Sequence, residues 1–531
     1  MLPLSTVLLT LLAPAQARPP CLTPYLHPFG RDTGRAGAAD RPDSVGYLDS
    51  ELYPIRVHYR NEDDAERAET VILPAAEYAW SVEVDEMGWP APPSDNGLGG
   101  SDAIDYYLTN EDTYGGAWTW GPYSDAIEDD DYFSIASFIA LDDNERLLTD
   151  ELMPTFIVHE FNHVLQYGID GAEATSFVWE STAEAMEELT LPDSNLYWID
   201  VSEFQSLPFA SLLFDGYSRE ITEYNEYSLY EYGGAISGLF LEQAYGSFDG
   251  TTLLQLWLNM AQPDSSNEPD YVDALGMIGG DTDPTVGDVY LRLAEWRMFA
   301  DTYDDGAHYA EASEWGRGAR VATEDKLKLS EIDGTSVSPV DEPYDLGTSY
   351  WEIEVDGDTS APLRLSLVGE GEVSWGIVAA AWLDGEPARV VRTRGADGEG
   401  VETELDLTGA TRVMVGVANL GKENLNAEGT HKRLGFTLTF GDPVVDSGGD
   451  DTATGDSGGV DSGGEEGGEE GGGEVGGGEE GGEEGGAGGQ DTGKTEEPGR
   501  CGCSAADTAP RSAMGLVGLA LGATLLGRRR R

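Results

Sequence analysis

Two histidines four residues apart, with a glutamate directly after the first, constrain this chain more than any other feature; they stand in Val158-His159-Glu160-Phe161-Asn162-His163-Val164. On an α-helix, positions i and i+4 lie one above the other, so both imidazoles leave one face close enough to hold one metal ion. Glu160 is offset by one position and reaches a water at that ion rather than the ion itself. This spacing points to zinc-dependent hydrolysis, with His159 and His163 as ligands and Glu160 as general base. The flanks support a helix. Pro154 suits a first turn, where its missing amide hydrogen costs nothing, and Gly168 suits an end, which predicts a helix over residues 154–167. Phe156, Ile157, Phe161, Val164 and Leu165 give it a broad apolar surface, so it should be buried and central.

A catalytic zinc takes a third protein ligand and leaves a fourth position for water. In the HExxHxxGxxH arrangement of the metzincins, a glycine and a third histidine follow on. Here Gln166 and Ile169 stand at those positions, so that class is excluded. Downstream, Phe177-Val178-Trp179-Glu180-Ser181-Thr182-Ala183-Glu184-Ala185-Met186-Glu187-Glu188 reads as a second helix with carboxylates on successive turns.

An HExxH helix followed by a Trp-Glu-Ser-Thr-Ala helix resembles the gluzincins, zinc peptidases whose third ligand is a glutamate on the next helix. The resemblance implies Glu180 as third ligand and Glu184, one turn on, as the carboxylate that orients the first histidine. The chain departs from the best-known members in Ser181-Thr182 after the glutamate and in a shorter interval between the helices, so Glu184 as the direct ligand stays open. Glu187 and Glu188 are expected on a solvated face. Gluzincins also use a tyrosine or histidine to steady the oxyanion; among Tyr227, Tyr230 and Tyr232, the choice is Tyr232. His308, in a polar segment, is expected to be exposed, and His58 to lie on a strand. The order of features over residues 52–300 resembles a family of myxobacterial metalloproteases inferred from such motifs: a strand at residues 55–59, a helix over 65–82, Gly88-Trp89-Pro90, and a strand near 105–108. A helix over residues 233–245 follows the tyrosines. Residues 133–141 read as one half-buried strand; by analogy with these peptidases it is the edge on which an extended substrate lies, and an ordinary interior strand is the equal alternative.

The implied fold is α+β: a zincin-like catalytic domain with a small mixed sheet and a helical subdomain over residues 18–340, then an antiparallel β-sandwich over 341–441. The sandwich rests on short strands at residues 350–355, 363–368, 374–382, 411–418 and 434–440, separated by Gly and Asp turns. Residues 1–17 read as a signal peptide, with an apolar run and Ala15-Gln16-Ala17. At the other end, Cys501-Gly502-Cys503, an apolar run and four arginines resemble the MYXO-CTERM sorting tag of surface-displayed proteins. Both ends say exported. The three cysteines, Cys21, Cys501 and Cys503, all fall outside the expected strands and helices, which excludes a disulfide framework and a cysteine metal site among them.

Residues 442–500 are Gly-rich, with 18 acidic and 2 basic residues, and read as a disordered, self-repelling stalk. Its Asp-Ser-Gly-Gly repeats offer oxygen ligands for Ca2+, although a plain spacer explains them more simply. The chain carries a net charge of −70, which argues against nucleic acid and against anionic lipid, leaving the C-terminal tag as the one membrane element. The reading that follows is an exported, surface-anchored zinc metalloendopeptidase with a protein or peptide substrate and sorting machinery as partner to the tag. An inactive surface adhesin on the same scaffold and zinc-dependent hydrolysis of another substrate are the alternatives.

Overall fold

The computed structural model describes residues 41–110, 113, 116–121, 125–128, 131–221 and 228–441. The expected signal peptide, all three cysteines, the stalk, the sorting tag and Tyr227 lie outside them.

The first region is built on a five-stranded mixed sheet of β1 (Gly46–Asp49), β2 (Ile55–Tyr59), β3 (Ile104–Thr109), β4 (Ala117–Trp120) and β7 (Phe138–Asp142), in the order β1-β2-β3-β7-β4. β5 (Ala126–Glu128) and β6 (Phe133–Ile135) form a separate hairpin pair. β2, β3 and β7 run parallel, while β1 and β4 are antiparallel to their neighbours. Pleating sends alternate side chains to opposite faces. Ile55, Val57, Tyr106, Leu108, Ile139 and Leu141 join the main core on one face, and Tyr107, Trp118, Trp120, Phe138 and Ala140 form a small aromatic cluster on the other.

The stretch expected as one strand over residues 133–141 is two, and of the edge and interior positions it takes the interior one. The stretch breaks at Ala136-Ser137 into β6 and β7, and β7 is interior, between β3 and β4. The edge strand on that side is β4, with β1 at the opposite edge; Ala117-Trp118-Thr119-Trp120 of β4 carries only four residues of pattern.

Helices cover the core face. α1 (residues 65–86) alternates α-helical turns with wider π turns at Ala68–Ile72 and Ser81–Glu86. α2 (Met153–Ile169) carries the two histidines and is buried along nearly its whole length. Gly168 lies inside α2 rather than ending it. A side chain there would come within 3.3 Å of Pro93 Cδ, so the glycine serves close packing. α3 (Ser176–Thr190) follows after residues 170–175 and packs against α2. α4 (Val201–Ser206), α5 (Tyr230–Gly233), α6 (Ala235–Tyr245), α7 (Thr251–Met260), α8 (Tyr271–Gly279) and α9 (Val286–Trp296) complete the helical half. α6 crosses α3 closely because residue 238 is glycine: a Cβ there would lie 2.8 Å from the Ala185 methyl carbon.

The second region contains two sheets, with orders β13-β12-β15-β10-β8 and β14-β11-β16-β9. Its strands are β8 (Asp325–Lys328), β9 (Ser336–Val337), β10 (Gly347–Glu354), β11 (Leu363–Gly369), β12 (Trp375–Leu383), β13 (Glu386–Arg394), β14 (Val401–Leu405), β15 (Ala410–Asn419) and β16 (Phe436–Phe440). Residues from both sheets, among them Trp351, Leu365, Trp375, Val415 and Phe440, share one core. The pairing is antiparallel except between β8 and β10, and β8 and β9 precede residue 341. The outer face of the larger sheet rests on the helical half. Tyr350 donates to the carbonyl of Ala294 (2.8 Å) and Trp382 to that of Tyr303 (2.7 Å).

Candidate metal centre

α2 and α3 bring three groups to one point. Nε2 of His159 lies 3.1 Å from Nε2 of His163 and 3.1 Å from Oε2 of Glu180, and Oε1 of Glu180 lies 3.7 Å from Nε2 of His163. All three side chains are withdrawn from solvent. Glu180 therefore occupies the position expected of the third ligand, and Glu184 faces the far nitrogen of His159.

Hydrogen bonds around the trio decide its protonation. Gln166 Nε2 donates to the carbonyl of Trp179 (3.2 Å), to Asn162 Oδ1 (2.8 Å) and to Thr182 Oγ1 (3.0 Å). The carbonyl can only accept, so the amide orientation is fixed. Its other atom, Oε1, sits 2.6 Å from His163 Nδ1, which must donate to it. On His159, Nδ1 lies 3.0 Å from Glu187 Oε1 and 3.5 Å from Glu184 Oε2, and a carboxylate oxygen likewise accepts. Both imidazoles thus carry their proton on Nδ1 and turn an Nε2 lone pair toward the other. Two lone pairs and a carboxylate facing one another repel unless a cation lies between them. Oε1 of Glu180 adds a buried oxygen with no hydrogen-bond partner. Burial pushes the Glu180 carboxyl up, and positive charge at His163 and His159 would hold it down at about 2; with both imidazoles neutral, a bound cation would supply that charge. This corner attracts positive charge, and a nitrogen-nitrogen-oxygen donor set fits a metal ion.

Glu187 and Glu188 correct the sequence reading. Both are buried rather than on a solvated face. Glu187 lies two turns beyond Glu180, on the same side of α3, and makes the shorter contact with His159 that had been assigned to Glu184. His308 is also a correction: it is largely enclosed, bonded to Asp305 (2.8 Å) and Glu295 (3.2 Å). His58 does lie on β2, paired with Asp105 (3.0 Å).

Glu160 is held from the sheet edge. Thr119 Oγ1 of β4 lies 2.8 Å from Glu160 Oε2 and 2.9 Å from the Glu160 carbonyl, bridging strand and helix. Tyr232 stacks on His159, with ring centroids 6.0 Å apart and planes within 8°. Tyr230 turns away, its hydroxyl given to the carbonyls of Ala210 (3.2 Å) and Ser211 (3.1 Å). Sequence reasoning missed Thr119, Gln166, Asn162, Glu187 and Glu83. Glu83, in the second π turn of α1, accepts from Asn162 (3.0 Å) and closes the chain His163–Gln166–Asn162–Glu83. Burial raises the Glu83 carboxyl to about 8 despite that hydrogen bond and the charge of His159. The i, i+3 and i, i+4 spacing of Asn162, His163 and Gln166 was the available signal for the first part of this chain.

No protein-family model and no curated protein matches this chain. Among solved structures it is similar to the pre-peptidase C-terminal domain of collagenase from Bacillus anthracis, at 10% identity and a TM-score of 0.16, over 22% of this chain and 96% of that one. PirA shows 14% identity and a TM-score of 0.15, over 21% of this chain and 95% of PirA. A family GH115 4-O-methyl-α-glucuronidase shows 10% identity and a TM-score of 0.13, over 57% of this chain and 45% of the other. Scores this low carry no functional argument, so the reading below rests on the site.

Proposed function

We propose that the protein is an exported, surface-anchored zinc metalloendopeptidase of the gluzincin type. The observation that carries this reading is the convergence of His159 Nε2, His163 Nε2 and Glu180, with both imidazole tautomers set from outside, beside a glutamate at the HExxH position. A zinc ion held by these three residues would supply a Lewis acid at the scissile carbonyl and lower the pKa of water there. Glu160 is placed by the helix spacing to take the proton from the attacking water and to return it to the leaving amine nitrogen. Thr119 donates to one oxygen of its carboxylate and keeps it from rotating away. Tyr232, stacked on His159, is the phenol best situated to donate to the developing oxyanion. β4 is an edge of the sheet and the strand nearest the base, so an extended peptide would pair along Ala117–Trp120 through its backbone.

The test combines zinc content with digestion of unfolded casein by the full chain, read by mass spectrometry. Internal cuts by the wild type but not by Glu160→Ala, with zinc bound to both, support the reading. Bound zinc without cuts from either protein would replace it with a binding scaffold.

A further inference from the structure

Residues 170–175, which join the two ligand-bearing helices, carry a second group of buried oxygens. Asp170 Oδ1 accepts from the Ala172 amide (2.9 Å) and from Gln262 Nε2 (3.1 Å). Gln262 Nε2 also donates to the carbonyl of Ser266 (2.6 Å), which fixes its Oε1 as the remaining atom. Glu173 Oε1 accepts from the Thr175 amide (2.6 Å), and Asn267 Oδ1 from the Ala174 amide (3.2 Å), so the 262–267 loop lies along the 170–175 link. Three oxygens are left over: Asp170 Oδ2, Glu173 Oε2 and Gln262 Oε1 have no hydrogen-bond partner. Asp170 and Glu173 are wholly buried, and Gln262 is 7% exposed. Buried acceptors left without a donor are costly, and two carboxylates near each other in a low dielectric are more so. They stay protonated, or are answered by a water, by the unpartnered Nδ2 of Asn267, or by a cation. The set is all oxygen, two carboxylates and a carboxamide, which is the chemistry of a hard divalent ion with flexible geometry.

We propose that Asp170, Glu173 and Gln262 form a second cation site, for one calcium ion, at the link between α2 and α3. It is separate from the histidine site in donor chemistry and does not rest on the peptidase reading. It would fasten the link to the loop before α8, and so fix how α3 presents Glu180 to the histidines of α2. Burial raises Asp170 to about 7 and Glu173 to about 8, and the neighbouring Asp170 charge adds to the shift on Glu173, so calcium would compete with protons near neutral pH.

Terbium can stand in for calcium, because the indole N–H of Trp179 donates to the Glu173 carbonyl (3.0 Å) and places a sensitising ring beside the site. The full chain, freed of divalent ions and given one equivalent of zinc, should show saturable tryptophan-sensitised terbium emission that calcium displaces. Saturating calcium should raise its melting temperature by about 2–4 °C. Asp170→Asn and Glu173→Gln should each weaken calcium binding by about tenfold or more, with circular dichroism showing the fold retained. A melting temperature indifferent to calcium would overturn the proposal, and that measurement needs no variant. Emission that survives both substitutions would also overturn it, placing the ions on the acidic segment after residue 441; a water in the site would give neither response.

Discussion

The side-chain oxygen of Gln166 lies 2.6 Å from Nδ1 of His163 and has no proton to give, so Gln166 decides which nitrogen of His163 faces the metal corner. The same side chain ties α2 to the carbonyl of Trp179, one residue before Glu180. It therefore aligns both halves of the ligand set at once.

Replacing Gln166 with leucine keeps most of the volume and removes that acceptor. Metal affinity should fall by about 10–100-fold, the range for residues that orient a ligating histidine. Competition with a chromophoric chelator measures this, with circular dichroism to show that the fold persists. An unchanged affinity would mean that His163 chooses its tautomer without Gln166.

Glu187 and Glu184 both approach Nδ1 of His159, at 3.0 and 3.5 Å. The shorter contact should matter more, so Glu187→Gln should weaken metal retention more than Glu184→Gln. Equal or reversed effects in the same competition titration would return Glu184 to the orienting role that the gluzincin resemblance implies.

Thr119→Val removes the hydroxyl that clasps Glu160 and hardly changes side-chain size. A hydrogen bond to a charged group contributes about 1.5–3 kcal/mol, so kcat for a peptide should drop about tenfold or more while bound zinc stays constant. Steady-state kinetics beside a zinc assay separates the two. A kcat equal to wild type would show that Glu160 needs no partner on the edge strand.

Two histidines outside the metal centre set a pH dependence. Burial works against protonation of His431, but the hydrogen bond to Asp345 (2.6 Å) and its charge, with Glu220 adding to them, hold its pKa above the ordinary histidine value. His308 is raised in the same way, with Asp305 and Glu295 outweighing burial. A raised histidine pKa stabilises the fold fully below the unfolded value of about 6.5 and loses that contribution as pH rises through the folded value. Melting temperature should therefore fall between about pH 6 and pH 8. The double variant His308→Gln/His431→Gln should make that slope shallower without abolishing it, because the buried carboxyls of Glu83, Asp170 and Glu173 titrate in the same window with the same sign; a slope as steep as wild type would assign the whole effect to those carboxyls.

Much of the helix pair that forms the candidate metal centre was legible because its histidines and glutamate are close in sequence and helical spacing converts directly into position. His159, His163 and Glu180 stand together as the motif implied, and the strands at 55–59 and 104–109 follow from their apolar runs. What could not be read depends on longer range. Thr119 is an ordinary threonine until β4 pairs with β7 and reaches Glu160, 41 positions away. Glu187 looks like a surface carboxylate in an alternating acidic helix, and only the packing of α3 against α2 buries it. β13, which begins at Glu386 and carries Arg389, Arg392 and Arg394, hides its strand character under charge. The interior place of β7 is a matter of sheet order, which local pattern does not encode.

The ligands of the metal corner lie within one helix–link–helix unit, whereas the clasp on Glu160 comes from a strand that must cross the sheet first. Closing a short loop costs less entropy than closing a long one, so contacts within that unit have the head start. Order of assembly then separates two properties that the proposed function would combine: a chain still completing its sheet would already hold His159, His163 and Glu180 together while Glu160 swings unclasped. If the proposed reading holds, such a chain would acquire its metal before its base, and would become a working hydrolase only when β4 is in place at the sheet edge.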